Sequence, residues 1–466
     1  MRSRNLLSVC LAGACMAQEA LSVDNVQVSL GGICQSPTHA SFPGMSVCLS
    51  ENITLVSQYE NDTTRIPIPQ DAKQAVSDTL DWTFKKPCYL AGTTEFCVFS
   101  SPTFAQGRGM SLVTTAKRAA AILALPSFHD PELVRGANQD LEPDRPHVYH
   151  VVEVPGKGLG VVAAKPLYRG DHIISNTVSL IIDYGAHEQM PQVELNKLMA
   201  AGIEYLPERH RDRMLNLSTH NDADAYLEKV QKLVATNCFD LEPIDDSPHA
   251  MQAVFPEISR LNHDCRPNAE YYFDYKTFTH HIHAIKPIAQ GEEITISYID
   301  PVETHQARVD RVKNWGFECS CSLCSAEAHI RNASDARVRQ INELRDEFED
   351  YTTKSRATPQ MGDLMVSLHE QERLIASLYS AYTYAAIEWN GVGEPWVATK
   401  YANLAVEYGL PSVGPTDPDV KEMQKLLSDP WGHWSWMLRT KKRMSWGKDG
   451  KEVDGKKKEG EDDEED

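Results

Sequence analysis

Three cysteines within six residues, Cys319-x-Cys321-x-x-Cys324, constrain this chain more than any other feature. Thiolates at this spacing suit a structural zinc ion, which takes four ligands in a tetrahedral array. Three ligands are local, so a fourth thiolate must arrive from a distant segment. The rival reading is a set of free or bridged thiols. It gains weight in an oxidising compartment, where disulfides persist.

Three further segments carry chemistry. Gly156-Lys157-Gly158-Leu159-Gly160 lies between strand-like runs at 147–154 and 161–163. Glycines there permit a tight turn and close approach of a ligand to the backbone, although most such sequences are only turns. Arg260-Leu261-Asn262-His263-Asp264-Cys265-Arg266-Pro267-Asn268 packs polar, sulfur and proline residues unusually densely. Gly291-Glu292-Glu293-Ile294-Thr295-Ile296-Ser297-Tyr298 reads as a turn entering a strand, and its bland reading makes Tyr298 a core residue with a satisfied hydroxyl. Further short strands are expected near Ile173 and at 178–182, 271–273 and 281–284. Apolar stripes predict helices over 186–236, on Leu195, Leu198 and Met199 and then Tyr226, Leu227, Val230 and Leu233. Helical spacing returns after Cys324. There Ala398, Ala402, Ala405 and Gly409 follow the pattern of paired helices in tetratricopeptide-like repeats.

Taken in order, the four motifs resemble the SET-domain protein-lysine methyltransferase family. They are most similar to its fungal split-SET branch, akin to the SMYD group, over about residues 147–327. The resemblance implies a mostly β SET core over 146–300 with a helical insert at about 186–236 and a post-SET zinc loop at 301–327; with the helical domain read from spacing at 328–440, the expected fold is α+β. A Cys-containing region at 18–145 would precede it and a charged tail at 441–466 would follow. It also implies S-adenosylmethionine as cofactor, contacted by Lys157, Gly158, Leu159, Asn262, His263 and Phe317, with Asn237 nearby. Tyr298 would place its hydroxyl at the transfer centre, and Cys265 would be the fourth zinc ligand beside Cys319, Cys321 and Cys324. The implied reaction moves a methyl group to a lysine side chain of a protein, histone or not. The competing class is a non-catalytic SET scaffold or peptide reader, against which the intact Asn262, His263 and Tyr298 argue. The sequence departs from the family at Asp264, where serine is usual, and near Asn176, where a glutamate is common. The insert holds His187, His210 and His220 but no cysteine, so the zinc finger of the SMYD group is absent.

Charge narrows the partners. The formal net charge of -20 and pI near 5.3 repel phosphate backbones, so nucleic acid is a poor partner, whereas an acidic field steers basic, lysine-bearing peptides. No stretch is long and apolar enough to span a bilayer. Arg2 and Arg4 before an apolar run at 6–17, with small residues at the expected cleavage offsets, form the layout of a signal peptide over 1–17. This predicts the secretory pathway. The alternative is nucleus or cytoplasm, where the cofactor and histone-like substrates reside. Cys34, Cys48, Cys88 and Cys97 permit two disulfides, leaving Cys238 single. Sequons begin at Asn52, Asn61, Asn216 and Asn332. His280, His281 and His283 read as alternating exposed and core residues of a strand rather than a metal site, and Trp431, Trp434 and Trp436 with His433 as C-terminal helix packing, the alternative being the lining of a peptide groove.

Overall fold

The structure is a computed structural model that describes residues 81–138, 147–219, 222–245, 247–350 and 355–440, with short strand pieces at Ser22–Val23, Val26–Gln27 and Cys34–Gln35. The expected leader, the charged tail, Cys48 and the sequons at Asn52 and Asn61 lie outside the described residues.

In chain order the longer strands are β1 (Cys88–Ala91), β2 (Thr94–Ser101), β3 (Met110–Thr114), β4 (Tyr149–Val154), β5 (Gly158–Ala163), β6 (His172–Thr177), β7 (Leu180–Asp183), β8 (Cys238–Leu241), β9 (Met251–Val254), β10 (Asn262–His263), β11 (Ala269–Asp274), β12 (Thr279–Ala284) and β13 (Glu293–Ile296). They form a large sheet ordered Cys34–Gln35, β8, β9, β7, β3, β2, β1, a second ordered β10, β13, β5, β4, and a third ordered β11, β12, β6.

The large sheet shows why its central strands are apolar throughout. Every residue of β3 and β7 is buried. Leu112 and Ile181 feed one core, while Val113, Leu180 and Ile182 feed the other. A strand covered on both faces has no solvent side to alternate towards. One cover is helix α1 (Ala116–Leu123), whose first turn is capped by Thr115. The opposite cover is the insert, with α2 (Gln192–Glu204), α3 (Glu208–Leu215) and α4 (Tyr226–Asn237), in agreement with the helices expected over 186–236.

The split expected at residue 145 does not divide two sheets, because β3 pairs in parallel with β7. Buried charge fastens the same junction. Arg118 reaches Asp183 at 2.9 Å and Asp245 at 3.0 Å, and Arg108 pairs with Glu257, which Arg213 also meets at 3.0 Å.

Beyond α5 (His305–Val312) the chain is helical: α6 (Ala328–Glu349), α7 (Pro359–Glu372), α8 (Leu378–Gly391), α9 (Pro395–Val413) and α10 (Pro418–Ser428) share one apolar core. The small residues read from spacing do form an interface. Ala398, Ala402 and Ala405 are buried, and a Cβ on Gly409 would come within 2.6 Å of Val420. α9 also meets the third sheet, where Arg169 lies 4.0 Å over the Tyr408 ring and pairs with Glu407.

Two expectations need correction. Cys88 and Cys97 form a disulfide between directly paired residues of β1 and β2, but Cys238 is disulfide-bonded rather than single. Trp431 and Trp434 are exposed, at 51% and 41%, rather than packed between helices; Trp431 instead meets Trp396 and Trp436 edge-on at the surface. Among the described residues, no cluster of three metal-ligating side chains includes the histidine strand. His280 is buried, and Tyr272 stacks on His281 and His283 with ring centroids 5.0 and 5.6 Å away.

Candidate active site

The glycine-rich turn between β4 and β5, the end of α4, the β10 segment, the end of β13 and the loop before the cysteines converge on one cleft of about 410 Å³. Lys157, Leu159, Asn237, Asn262, His263, Tyr298 and Phe317 all line it. Of the residues expected to touch cofactor, Gly158 alone is not in the wall. It has φ +74°, as does its neighbour Gly156 at +75°, so these glycines let the turn reverse in the left-handed region and bring Lys157 and Leu159 to the rim.

The β10 segment is threaded tightly. Asn262 and His263 pair in parallel with Thr295 and Ile296 of β13, and the Asp264 N–H donates to the Ile296 carbonyl at 3.0 Å. Asn268, at the end of the same motif, accepts from the Thr295 N–H at 2.8 Å and donates to the Glu293 carbonyl at 2.8 Å. This pinning carries Tyr298 under the segment. Its hydroxyl donates to the Leu261 carbonyl at 2.7 Å, and its N–H donates to His263 Nδ1 at 3.1 Å. Burial raises the Tyr298 pKa above the ordinary phenol value, so the phenol is neutral across the physiological range.

His263 is held by protein on both ring nitrogens. With Nδ1 accepting from Tyr298, Nε2 carries the proton and lies 3.4 Å from Cys265 Sγ. Burial pushes its pKa down to about 4. The Asn237 amide is likewise held by protein, donating to the Leu233 carbonyl of its own helix and to the Ser218 carbonyl of the loop after α3, each at 2.8 Å.

The four cysteines meet. Cys265, Cys319, Cys321 and Cys324 bring their sulfur atoms within 4.8 Å of one another, with Cys265 Sγ 3.6 Å from Cys324 and 3.9 Å from Cys319. All four are free thiols. A disulfide needs sulfurs ~2.05 Å apart, whereas tetrahedral zinc with ~2.3 Å Zn–S bonds sets them ~3.8 Å apart. The donor set and spacing therefore fit zinc. Because Cys319 and Cys321 also line the cleft, whatever closes the cluster also fixes that wall.

Several wall residues were not legible in the sequence. Asn216, Ser218, Thr236, Ser259, Arg260 and Trp315 complete the cleft. Arg260 opens the asparagine motif but had no role assigned to it, and the others come from the insert and from loop positions with no motif signal. The Trp315 ring lies 5.5 Å from Tyr298, and Phe317 lies 6.3 Å from it edge-on. Arg266, inside the motif but away from the cleft, donates to the Cys265 and Pro301 carbonyls and pairs with Glu372 of α7 at 2.9 Å.

The SET domain family matches residues 158–299. The histone-lysine N-methyltransferase set5 of Schizosaccharomyces pombe is 28% identical over 203 residues, covering 43% of this chain and 58% of that protein. The N-lysine methyltransferase SMYD2-B of Xenopus laevis is 33% identical over 181 residues, 37% of this chain and 40% of its own. The protein-lysine N-trimethyltransferase SMYD5 of Mus musculus is 42% identical over 80 residues, 16% of this chain and 19% of its own. This chain thus spans 58% of the first of these relatives and less of the other two. Residues 158–299 are a SET domain, in a chain whose relatives are the set5 and SMYD lysine methyltransferases.

Proposed function

We propose that the protein is an S-adenosylmethionine-dependent protein-lysine N-methyltransferase. The observation that carries this reading is the neutral Tyr298 hydroxyl at a cleft whose other walls are Lys157, Asn262, His263 and Phe317. The cofactor supplies an electrophilic methyl group on a sulfonium. The residues of this chain handle the amine. A lysine enters as ammonium, with a pKa near 10.4, and must lose that proton to solvent before it can attack. Loss of solvation in the cleft beside Tyr298, Trp315 and Phe317 disfavours the charged form. The Tyr298 proton is committed to the Leu261 carbonyl, so its oxygen accepts an N–H from the amine and aims the lone pair. Orientation of this kind supplies up to ~11 kcal/mol of barrier reduction, and no charged general base is required. Substrates are proteins presenting a lysine, favoured when basic by the acidic net charge.

Zinc on Cys265, Cys319, Cys321 and Cys324 would fasten the segment that carries Trp315 and Phe317 to the β10 motif. The His263 Nε2–H, directed at Cys265 Sγ, would stabilise that sulfur as a thiolate.

Titration calorimetry of the full chain with S-adenosylmethionine, followed by mass spectrometry of lysine peptides, tests the reading. Tyr298→Phe is expected to lower kcat roughly 10²-fold while leaving cofactor affinity within about threefold. A folded protein that binds no cofactor overturns it.

The Cys88–Cys97 disulfide supports passage through the secretory pathway, since such bonds persist in oxidising compartments. Of the sequons in the described residues, Asn216 is exposed, while Ser334 of the Asn332 site is buried on Glu372. Asn216 lines the proposed cofactor cleft, where a glycan would block entry, so peptide mapping of secreted protein should find residues 1–17 removed and Asn216 unmodified. An unprocessed intracellular protein would reject this placement.

A further inference from the structure

Glu293 stands where three motifs meet, yet it does not line the cleft. Its Oε2 lies 2.6 Å from Lys157 Nζ, and its Oε1 accepts from Asn262 Nδ2 at 2.9 Å. Its strand, β13, pairs with β5 on one side and β10 on the other, so one side chain reaches both the glycine-rich turn and the asparagine motif. Gly160 makes room for this meeting: a Cβ there would come within 2.6 Å of Asn262 Nδ2 and 3.1 Å of Glu293 Oε1.

The chemistry of the neighbours fixes the asparagine. Nδ2 faces the Glu293 carboxylate and, at 3.4 Å, the Leu159 carbonyl. Both groups only accept hydrogen bonds, so the amide must turn its NH2 to them. Its Oδ1 is left as an acceptor, and no donor among the described residues bonds to it. Lys157 is one-third exposed and has three N–H donors, of which Glu293 uses only part. A fixed acceptor and a fixed cation thus stand side by side on one wall of the cleft. That pair complements an α-ammonium beside an α-carboxylate.

We propose that Glu293 is a positioning residue that aligns Asn262 Oδ1 and the Lys157 ammonium to read the amino-acid end of the bound cofactor. The inference rests on the S-adenosylmethionine reading above. Without the carboxylate, the Asn262 amide is free to turn over and Lys157 is released to solvent.

Calorimetry on the full chain with two probes tests it. S-adenosylhomocysteine carries the amino-acid end; 5′-methylthioadenosine keeps the nucleoside and sulfur but lacks it. Glu293→Gln is expected to weaken S-adenosylhomocysteine about tenfold and to leave methylthioadenosine within twofold. Should that variant melt early, Lys157→Ala, at a partly exposed site, is expected to weaken S-adenosylhomocysteine about fivefold with the same selectivity. Equal loss for both probes in these variants means general damage to the cleft and overturns the inference, as does no loss. Wild-type protein that binds neither probe overturns the cofactor reading, and this inference with it.

Discussion

Cys265 and Arg266 are adjacent, yet they tie the chain in opposite ways. Cys265 reaches sulfurs that lie 54 to 59 residues onward, and a metal suits that cluster. Arg266 reaches Glu372, 106 residues onward, through a buried ion pair in which Ser334 and Arg337 also bind the carboxylate. The first tie closes the cleft, and the second docks the helical domain on the SET domain. A thiolate cluster owes its energy to the metal, whereas a buried ion pair must first offset the desolvation of both charges. The contrast predicts that the first tie is a source of stability and the second a source of register.

Metal removal should therefore have the largest effect. Structural zinc contributes on the order of 10 kcal/mol in small domains. A strong chelator, or Cys319→Ser, is expected to abolish cofactor binding, with a large drop in the first melting transition. Unchanged binding after verified metal loss would leave the two ties equivalent. Next comes Glu372→Ala, which strands the Arg266 guanidinium and should cost about 3–5 kcal/mol in denaturant unfolding. Burial alone would raise the Glu372 carboxyl pKa, but its bonds to Ser334, Arg266 and Arg337 bring it below the ordinary value. Its contribution is thus full above an unfolded pKa near ~4.3 and fades as pH falls through the lower folded value. The Glu372→Ala penalty should shrink over that acid range and stay constant from about pH 5 to 8. Smaller still is the double change Arg266→Met with Glu372→Leu. Removing both charges together should cost less than about 1.5 kcal/mol, or even stabilise, while loosening how the domains dock, as small-angle scattering would register. If the double variant loses as much as Glu372→Ala, the register argument is wrong. Arg356→Ala sets the floor. Arg356 is 87% exposed where it meets Glu347, and its loss should stay within about 0.5 kcal/mol.

The same pair of residues shows what the sequence made legible. Cys-x-Cys-x-x-Cys announces its chemistry because ligand spacing is local, and the missing fourth ligand could be supplied by resemblance. Arg266 announces nothing: it sits in plain view within the motif, but its partner lies on a helix whose docking no local pattern encodes. Lys157, Asn262, His263 and Tyr298 were legible as cleft residues, although His263 turns its ring to Tyr298 and Cys265. Trp315, Ser259 and Asn216 were not, since a wall assembled from loops leaves no periodic trace. The strands at 88–114 escaped for another reason. Met110–Thr114 is covered on both faces, so it lacks the alternation that identifies a half-buried strand.

Those strands carry a consequence for how the chain is made. β2 and β3 are neighbours in sequence and pair as a hairpin, but the next neighbour of β3 is β7, whose Leu180 pairs in parallel with Ser111. Until β7 joins, an apolar edge stays open, a template for any passing strand. Parallel pairing over such a span is slow and exposed to aggregation. A fragment begun at the first residue of the recognised domain inverts the problem, because β7 would then keep its own edge bare. Fragments intended for crystals or assays should therefore start before residue 81, and expression should improve when nascent-chain chaperones are abundant.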